Sequence, residues 1–340
     1  MATPPRSFRL TCRPFHFTCR ARLKAKRRGS GAPVYGFQPT SNLRIQFARA
    51  RHEYVPRETS LPLVPVLGEI LANNVGTDRF RFLVRGGIWQ VRKRLGHRFV
   101  ATLPSGAKVF VEPNSSYSSI FYTKWPEGKD LLFFRANRHL GDVFVDVGAN
   151  VGLFSAYLFD TYREFVLFEP SPSSFRAIEE TLRLNPRVNA KAVNIGVADA
   201  AGEMDFLDLG RCSTTSRFVA ERASGDPRPL VKIACDTLDD RLAHVEGKLS
   251  IKIDVEGFEE RVLLGARKLL SARRVGLLMF ERLGRTNLGR VRRFLDSAGY
   301  KIFFVCRDGS VSFDDELIST AGVNLFAVDK DLQEKMRVSA

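Results

Sequence analysis

The chain has 340 residues, 44% hydrophobic and 26% charged, with ordinary numbers of glycine and proline (26 and 16); this excludes collagen-like, low-complexity and wholly disordered proteins and leaves about two domains, or one large domain with an extension. Its formal net charge of +16 points first to polyanionic partners. Twelve of the 53 basic residues, however, lie between Met1 and His52, where there is no acid, and the rest of the chain balances 41 basic against 37 acidic residues, so nucleic acid is not an expected partner of the body.

Residues 1–59 are rich in Arg, Ser and Pro, cluster Lys24, Lys26, Arg27 and Arg28, and show neither a 2-residue nor a 3.6-residue period, so a disordered basic extension is expected. Three uses stay open for it: an inert extension, a tail for anionic surfaces, and a targeting peptide, although the apolar core of a secretory signal is absent. Cys12, His16 and Cys19 lack a fourth ligand and are read as a chance grouping. The five cysteines form no CxxC pair and fit a reducing compartment, and no apolar run reaches the roughly 18 residues of a membrane span. A cytoplasmic protein is expected.

Residues 60–140 read as an accessory α+β lobe. They hold a basic amphipathic piece (Phe80 to Leu95), two strands (Phe99 to Leu103, Lys108 to Glu112) joined through Pro104-Ser105-Gly106 as a hairpin, and a helix-like run from Lys129 to His139. From 141 to 330 the pattern becomes short apolar runs separated by helical segments. Strands are expected at Val143 to Val147, Glu164 to Phe168, Ala190 to Asn194, Leu249 to Ile253 and Val275 to Phe280; helices at Gly152 to Phe159, Ser173 to Leu184 and Glu256 to Leu270. That alternation predicts βαβ units and a parallel sheet buried on both faces. Tyr300 to Cys306 and Asn324 to Val328 are expected to form a closing hairpin, and 331–340 a C-terminal tail.

The first of these strands runs into Asp146-Val147-Gly148-Ala149-Asn150-Val151-Gly152, a glycine-bearing turn that opens a helix, where backbone N–H groups face a ligand. A dinucleotide fingerprint begun at Gly148 needs Gly at the positions of Asn150 and Leu153, which weakens a nicotinamide oxidoreductase, kept as the alternative. D-x-G-x-x-x-G, with an acid before the first glycine, suits a cationic cofactor such as S-adenosylmethionine. Glu169, 23 residues after Asp146 at the next strand end, has the place and chemistry to accept hydrogen bonds from both ribose hydroxyls. A second alternative is a nonenzymatic, cofactor-retaining nucleic-acid-binding protein using the basic extension.

The segments VDVGANVGLFS, FEPSPSSF, KIDVEGFEERVLLGA and NLFAV together resemble the FkbM-type family of S-adenosylmethionine-dependent methyltransferases, over about Asp142 to Val328. The resemblance implies a class I methyltransferase: a Rossmann-like α/β sheet of seven strands, the last antiparallel, and methyl transfer typically to hydroxyl oxygens of sugars or secondary metabolites. It makes Asp146, Gly148, Ala149, Asn150, Gly152 and Glu169 cofactor contacts, and puts the turn at Val197, Ala198 and Asp199 against the adenine. Between Gly202 and Asp240 an alternating pattern around a Ser/Thr-rich loop predicts a hairpin insertion over the site edge. Asp254 and Glu256 end the fourth strand and Glu281 the fifth. Asp254 and Glu281 are the catalytic candidates, with Asp254 as base. Mg²⁺ is a less favoured use of the pair, because a third oxygen ligand is missing after Glu281, where Arg282 follows; no metal is assigned. Lys252, Arg261 and Arg282 are possible neutralising partners, and His244 is an exposed bystander. The acceptor is expected to be a small molecule or glycan.

Overall fold

The computed structural model describes residues 77–96, 98–112, 120–126, 128–210, 213, 216–219, 230–283, 286–320 and 324–337, all within one compact unit, Thr59–Ala340. The basic segment 1–59, with Cys12, His16 and Cys19, lies outside the described residues, as do Cys212, Thr214 and Thr215.

In chain order, helix α1 (Thr77–Arg94) precedes the hairpin β1 (Phe99–Thr102) and β2 (Lys108–Val111), then α2 (Gly128–Ala136). The alternating part follows: β3 (Val143–Val147), α3 (Leu153–Ala156), β4 (Glu164–Phe168), α4 (Pro172–Leu184) and β5 (Ala190–Val193). An insertion contributes β6 (Gly196–Val197), β7 (Gly202–Leu207), β8 (Arg217–Phe218), β9 (Leu230–Asp236) and the short α5 (Leu238–Arg241). The second half holds β10 (Leu249–Ile253), α6 (Glu259–Leu264), α7 (Arg267–Ser271), β11 (Val275–Glu281) and α8 (Leu288–Ser297). It closes with β12 (Tyr300–Val305), β13 (Val311–Ser312), α9 (Asp315–Thr320) and β14 (Asn324–Asp329).

The main sheet has the order β13-β12-β14-β11-β10-β3-β4-β5. Counted as the seven strands of the alternating pattern, this is 6-7-5-4-1-2-3, with β14 antiparallel to both β11 and β12. The expected class I methyltransferase arrangement is present, extended by the two-residue edge strand β13. All of β3 and β10 is buried because the sheet is covered on both faces. Phe144 faces one apolar cluster with Phe165, Met279 and Phe326, while Val143, Val145 and Val147 face the other with Ile251 and Phe280. The first cluster also takes in Phe82 and Trp89 of α1, Ala101 and Val109 of the hairpin, and Phe133 and Phe134 of α2, so an unbroken apolar layer joins these elements to the sheet.

The expected helix from Glu256 to Leu270 is instead two helices. Gly265, between them, lies against the Ala198 carbonyl, where a Cβ would collide, and the break lets the turn after β6 rest on that point. Residues 254–257 form a loop, because the buried Glu259 carboxylate accepts from the backbone N–H of Val255 (3.3 Å) and Gly257 (2.9 Å). The insertion is the expected hairpin, β7 against β9, widened by β6 and β8 into a four-stranded sheet.

Candidate active site

The order in which successive strands are added reverses between the parallel β3 and β10, so their carboxyl ends flank a crevice, the usual ligand position in an open α/β sheet. A cleft opens there. One wall is the β3–α3 turn with the end of β4, the other is the loop after β10, and Phe206, Ser213, Ser216 and Phe218 of the insertion form its rim.

The first wall is shaped by backbone needs. Gly148 has φ +76° and packs on the Asp254 carbonyl oxygen so closely that any Cβ would clash. Asn150 has φ +52°, a conformation that costs a non-glycine residue free energy and persists only when its surroundings hold it. They do: its N–H donates to Glu169 Oε2 (2.7 Å), its Nδ2 to the Ser213 carbonyl (3.0 Å), and its Oδ1 accepts from Ser174 Oγ (3.3 Å). Glu169 Oε1 accepts from the Ser171 N–H (2.8 Å). The buried Glu169 carboxyl therefore has one N–H on each oxygen and retains accepting capacity toward the cleft it lines. Burial pushes its pKa up to about 7 against the lowering by those two N–H groups and Lys252, with Asp146 adding to the rise.

The remaining cofactor candidates divide. Ala149 and Val197 line the cleft. Gly152, φ +75°, caps α3 next to it. Asp146 does not line it: fully buried, it accepts from Ser155 Oγ (2.6 Å) and pairs with Lys252 Nζ (3.0 Å). Asp146 thus stands behind the lining, with both its oxygens serving the protein interior. Ala198 is buried under Gly265, and Asp199 is held outside the cleft lining by Arg261 (2.7 Å).

The second wall gathers charge. Asp254 and Glu256 line the cleft, and carboxylate oxygens of Asp254, Glu256 and Glu281 lie within 4.8 Å of one another. Glu256 comes from a residue at φ +55°, so two of the three non-glycine residues with positive φ among those described, Asn150 and Glu256, border the cleft. The sequence puts Asp254, Glu256 and Glu281 at neighbouring strand ends and makes Asp254 and Glu281 the catalytic candidates; the loop set by Glu259 turns Glu256 in beside them. Burial pushes the Glu281 pKa up to about 8, with the like charges of Asp254, Glu256 and Glu259 adding to it and Lys252 opposing. Glu281 Oε2 is buried with no hydrogen-bond partner among the described residues. Such a cluster can take up a proton or surround a cation.

Lys252 connects the two walls. Its buried Nζ lies 3.0 Å from Asp146, 3.5 Å from Asp254 Oδ2, 3.2 Å from the Gly148 carbonyl and 5.7 Å from the centre of the Phe154 ring. Sequence reasoning treated it only as a possible neutraliser. The signal for more was its place in the apolar strand Leu249–Ile253, since a lysine buried there must be paired. Arg282 bonds the Ser319 carbonyl, and His244 is exposed.

The family profile described as the methyltransferase FkbM domain matches residues 146–302, from the end of β3 into β12, which includes both walls. Residues 146–302, just under half of the chain, are thus similar to a methyltransferase FkbM domain. Among curated proteins, methyltransferase sdnD of Sordaria araneosa is 30% identical over 150 residues, 43% of this chain and 53% of that protein. The match thus spans about half the length of that relative. Similar solved structures include methyltransferase FkbM from Methylobacillus flagellatus KT, with a TM-score of 0.38 and 15% identity over 78% of this chain and 58% of that one. Another is the Pyrococcus abyssi tRNA (uracil-54, C5)-methyltransferase in complex with S-adenosyl-L-homocysteine, with a TM-score of 0.35 and 14% identity over 68% and 43% of the two chains. The similarity is to methyltransferases and weighs against the nicotinamide-oxidoreductase and nonenzymatic alternatives.

Proposed function

We propose that the protein is a cytoplasmic S-adenosylmethionine-dependent O-methyltransferase acting on a hydroxyl of a sugar, polysaccharide or secondary metabolite. The observation that carries this reading is the juxtaposition, inside the region that matches the FkbM domain, of a glycine-bearing turn lining the cleft with a wall of carboxylates. The described cleft lining holds three acids, Glu169, Asp254 and Glu256, against one cation, Lys252, which suits a ligand of net positive charge. S-adenosylmethionine supplies a methyl group activated on a sulfonium.

In this reading Glu169 accepts from the ribose hydroxyls with the capacity its two N–H partners leave, and Gly148, Ala149, Asn150 and Gly152 present backbone to the ligand. Val197, with Ala198 packed behind it, borders the adenine, and Asp199 secures that turn through Arg261. Asp146 acts indirectly, by holding Lys252. Asp254 accepts the proton of the attacking hydroxyl. Glu281, with its raised pKa, provides a second proton site beside it. Phe154, Phe206 and Phe218 exclude water, which favours a reaction in which opposite charges are lost.

Transfer of a labelled methyl group to a panel of sugar and polyketide-type hydroxyls tests the reading. Label recovered as an ether supports oxygen as acceptor; label recovered only on nitrogen or carbon contradicts it.

A further inference from the structure

Eight large hydrophobic side chains are exposed among the described residues, and five of them, Phe80, Val84, Ile88, Val91 and Leu95, form a stripe along α1 and the turn that follows it. Their spacing of 4, 4, 3 and 4 residues puts them on one helical face. Exposure reaches 74% at Phe80, 51% at Ile88 and 61% at Leu95, whereas single scattered apolar side chains would be ordinary. The opposite face is fixed: Phe82 and Trp89 are buried, and Trp89 stacks on Phe121 with ring centres 4.7 Å apart. The stripe is therefore held outward by a rigid anchor. Val100 of β1, also exposed, follows it in the chain.

The sequence from Phe80 to Leu95 holds Arg81, Arg85, Arg92, Lys93 and Arg94 and no acid. Arg81, Arg92 and Arg94 are exposed beside the stripe. We propose that this face of α1 seats the protein on the surface of an anionic lipid bilayer, with the apolar side chains at the headgroup boundary and the arginines against lipid phosphates and carboxylates. Charge decides between occupants. A second copy docked on the same stripe would bring two arginine clusters together, and residues 1–52 carry twelve basic residues and no acid, so they share the sign of the helix. An anionic bilayer supplies both the apolar layer and the opposite charge. No described helix is long and apolar enough to cross a membrane, so contact through this face is peripheral. The inference stands apart from the choice of methyl acceptor.

Co-sedimentation of the full chain with phosphatidylcholine vesicles, with and without phosphatidylserine, tests it. The wild type is expected to bind the phosphatidylserine vesicles, less so as salt rises, and the double variant Val84→Asp/Ile88→Asp to bind about tenfold more weakly. Arg92→Glu/Arg94→Glu serves as a second probe and should also weaken binding. Equal binding by wild type and both variants would assign the lipid affinity to the basic N-terminal residues and overturn the proposal. So would equal binding to neutral vesicles. Absence of vesicle binding, whether the chain sediments as a monomer or as a dimer that Val84→Asp/Ile88→Asp dissociates, overturns it as well.

Discussion

The two walls of the cleft are built on opposite principles. On the Gly148–Glu169 side every strained or buried polar group described here has a partner: Asn150 makes three hydrogen bonds and each Glu169 oxygen accepts an N–H. On the Asp254–Glu281 side three carboxylates crowd together, and one buried oxygen has no described partner. The first wall is organised before any ligand arrives, as a binding surface should be. The second keeps carboxylates crowded together, as the proton-transfer role proposed for it requires.

The difference is sharpest at Asp254. If the crowded wall does the chemistry, Asp254→Asn lowers single-turnover methyl transfer about 10² to 10⁴ fold while cofactor affinity changes by less than about 1 kcal/mol. Equal activity of the folded variant would show the acids to be structural. Loss of wild-type activity with a chelator would reassign the three acids to a cation.

The glycines of the ordered wall offer the next test, because Gly148 and Gly152 share nearly the same φ (+76° and +75°) but differ in surroundings. Gly148→Ala meets the Asp254 carbonyl and should cost about 3 kcal/mol or more. Gly152→Ala finds its nearest neighbour, Leu167 Cδ2, at 3.4 Å and should cost only about 1 kcal/mol of backbone strain. Similar melting temperatures for the two variants would mean that the walls do not press on each other.

Glu169→Ala should weaken S-adenosylhomocysteine binding by about 1.5 to 3 kcal/mol, and Glu169→Gln by less. With the Glu169 pKa raised to about 7, the carboxylate proposed to accept from ribose is protonated in acid. Affinity should be flat above neutrality and fall by up to about tenfold per pH unit below it, a dependence that Glu169→Gln abolishes.

The smallest effect is expected at Glu281. Its folded pKa, about 8, lies above the ordinary carboxyl value, so the folded chain holds this proton more tightly than the unfolded one. That stabilisation is complete below about pH 4.5 and disappears as pH rises through 8. Glu281→Gln should therefore melt about 3 °C higher than wild type at pH 9 and show no gain at pH 4. No difference at pH 9 would remove the crowding from the account.

The sheet was legible because continuous apolar runs such as Val143–Val147 and Leu249–Ile253 have few other solutions than buried parallel strands. Glu169 was legible for a related reason, as an acid ending such a run. What escaped the sequence depends on contacts between distant segments. The break at Gly265 comes from the Ala198 carbonyl, the inward turn of Glu256 from the cap supplied by Glu259, and the burial of Asp146 from a lysine 106 positions later. The apolar stripe of α1 was visible as an amphipathic pattern, but its outward direction depends on Trp89 finding Phe121.

Calorimetric titration of the full chain with S-adenosylmethionine, S-adenosylhomocysteine and NAD tests the central claim most directly. The cleft described here predicts dissociation constants in the micromolar range, about −8 kcal/mol, for the first two, and no heat with NAD. Heat with NAD alone would contradict it.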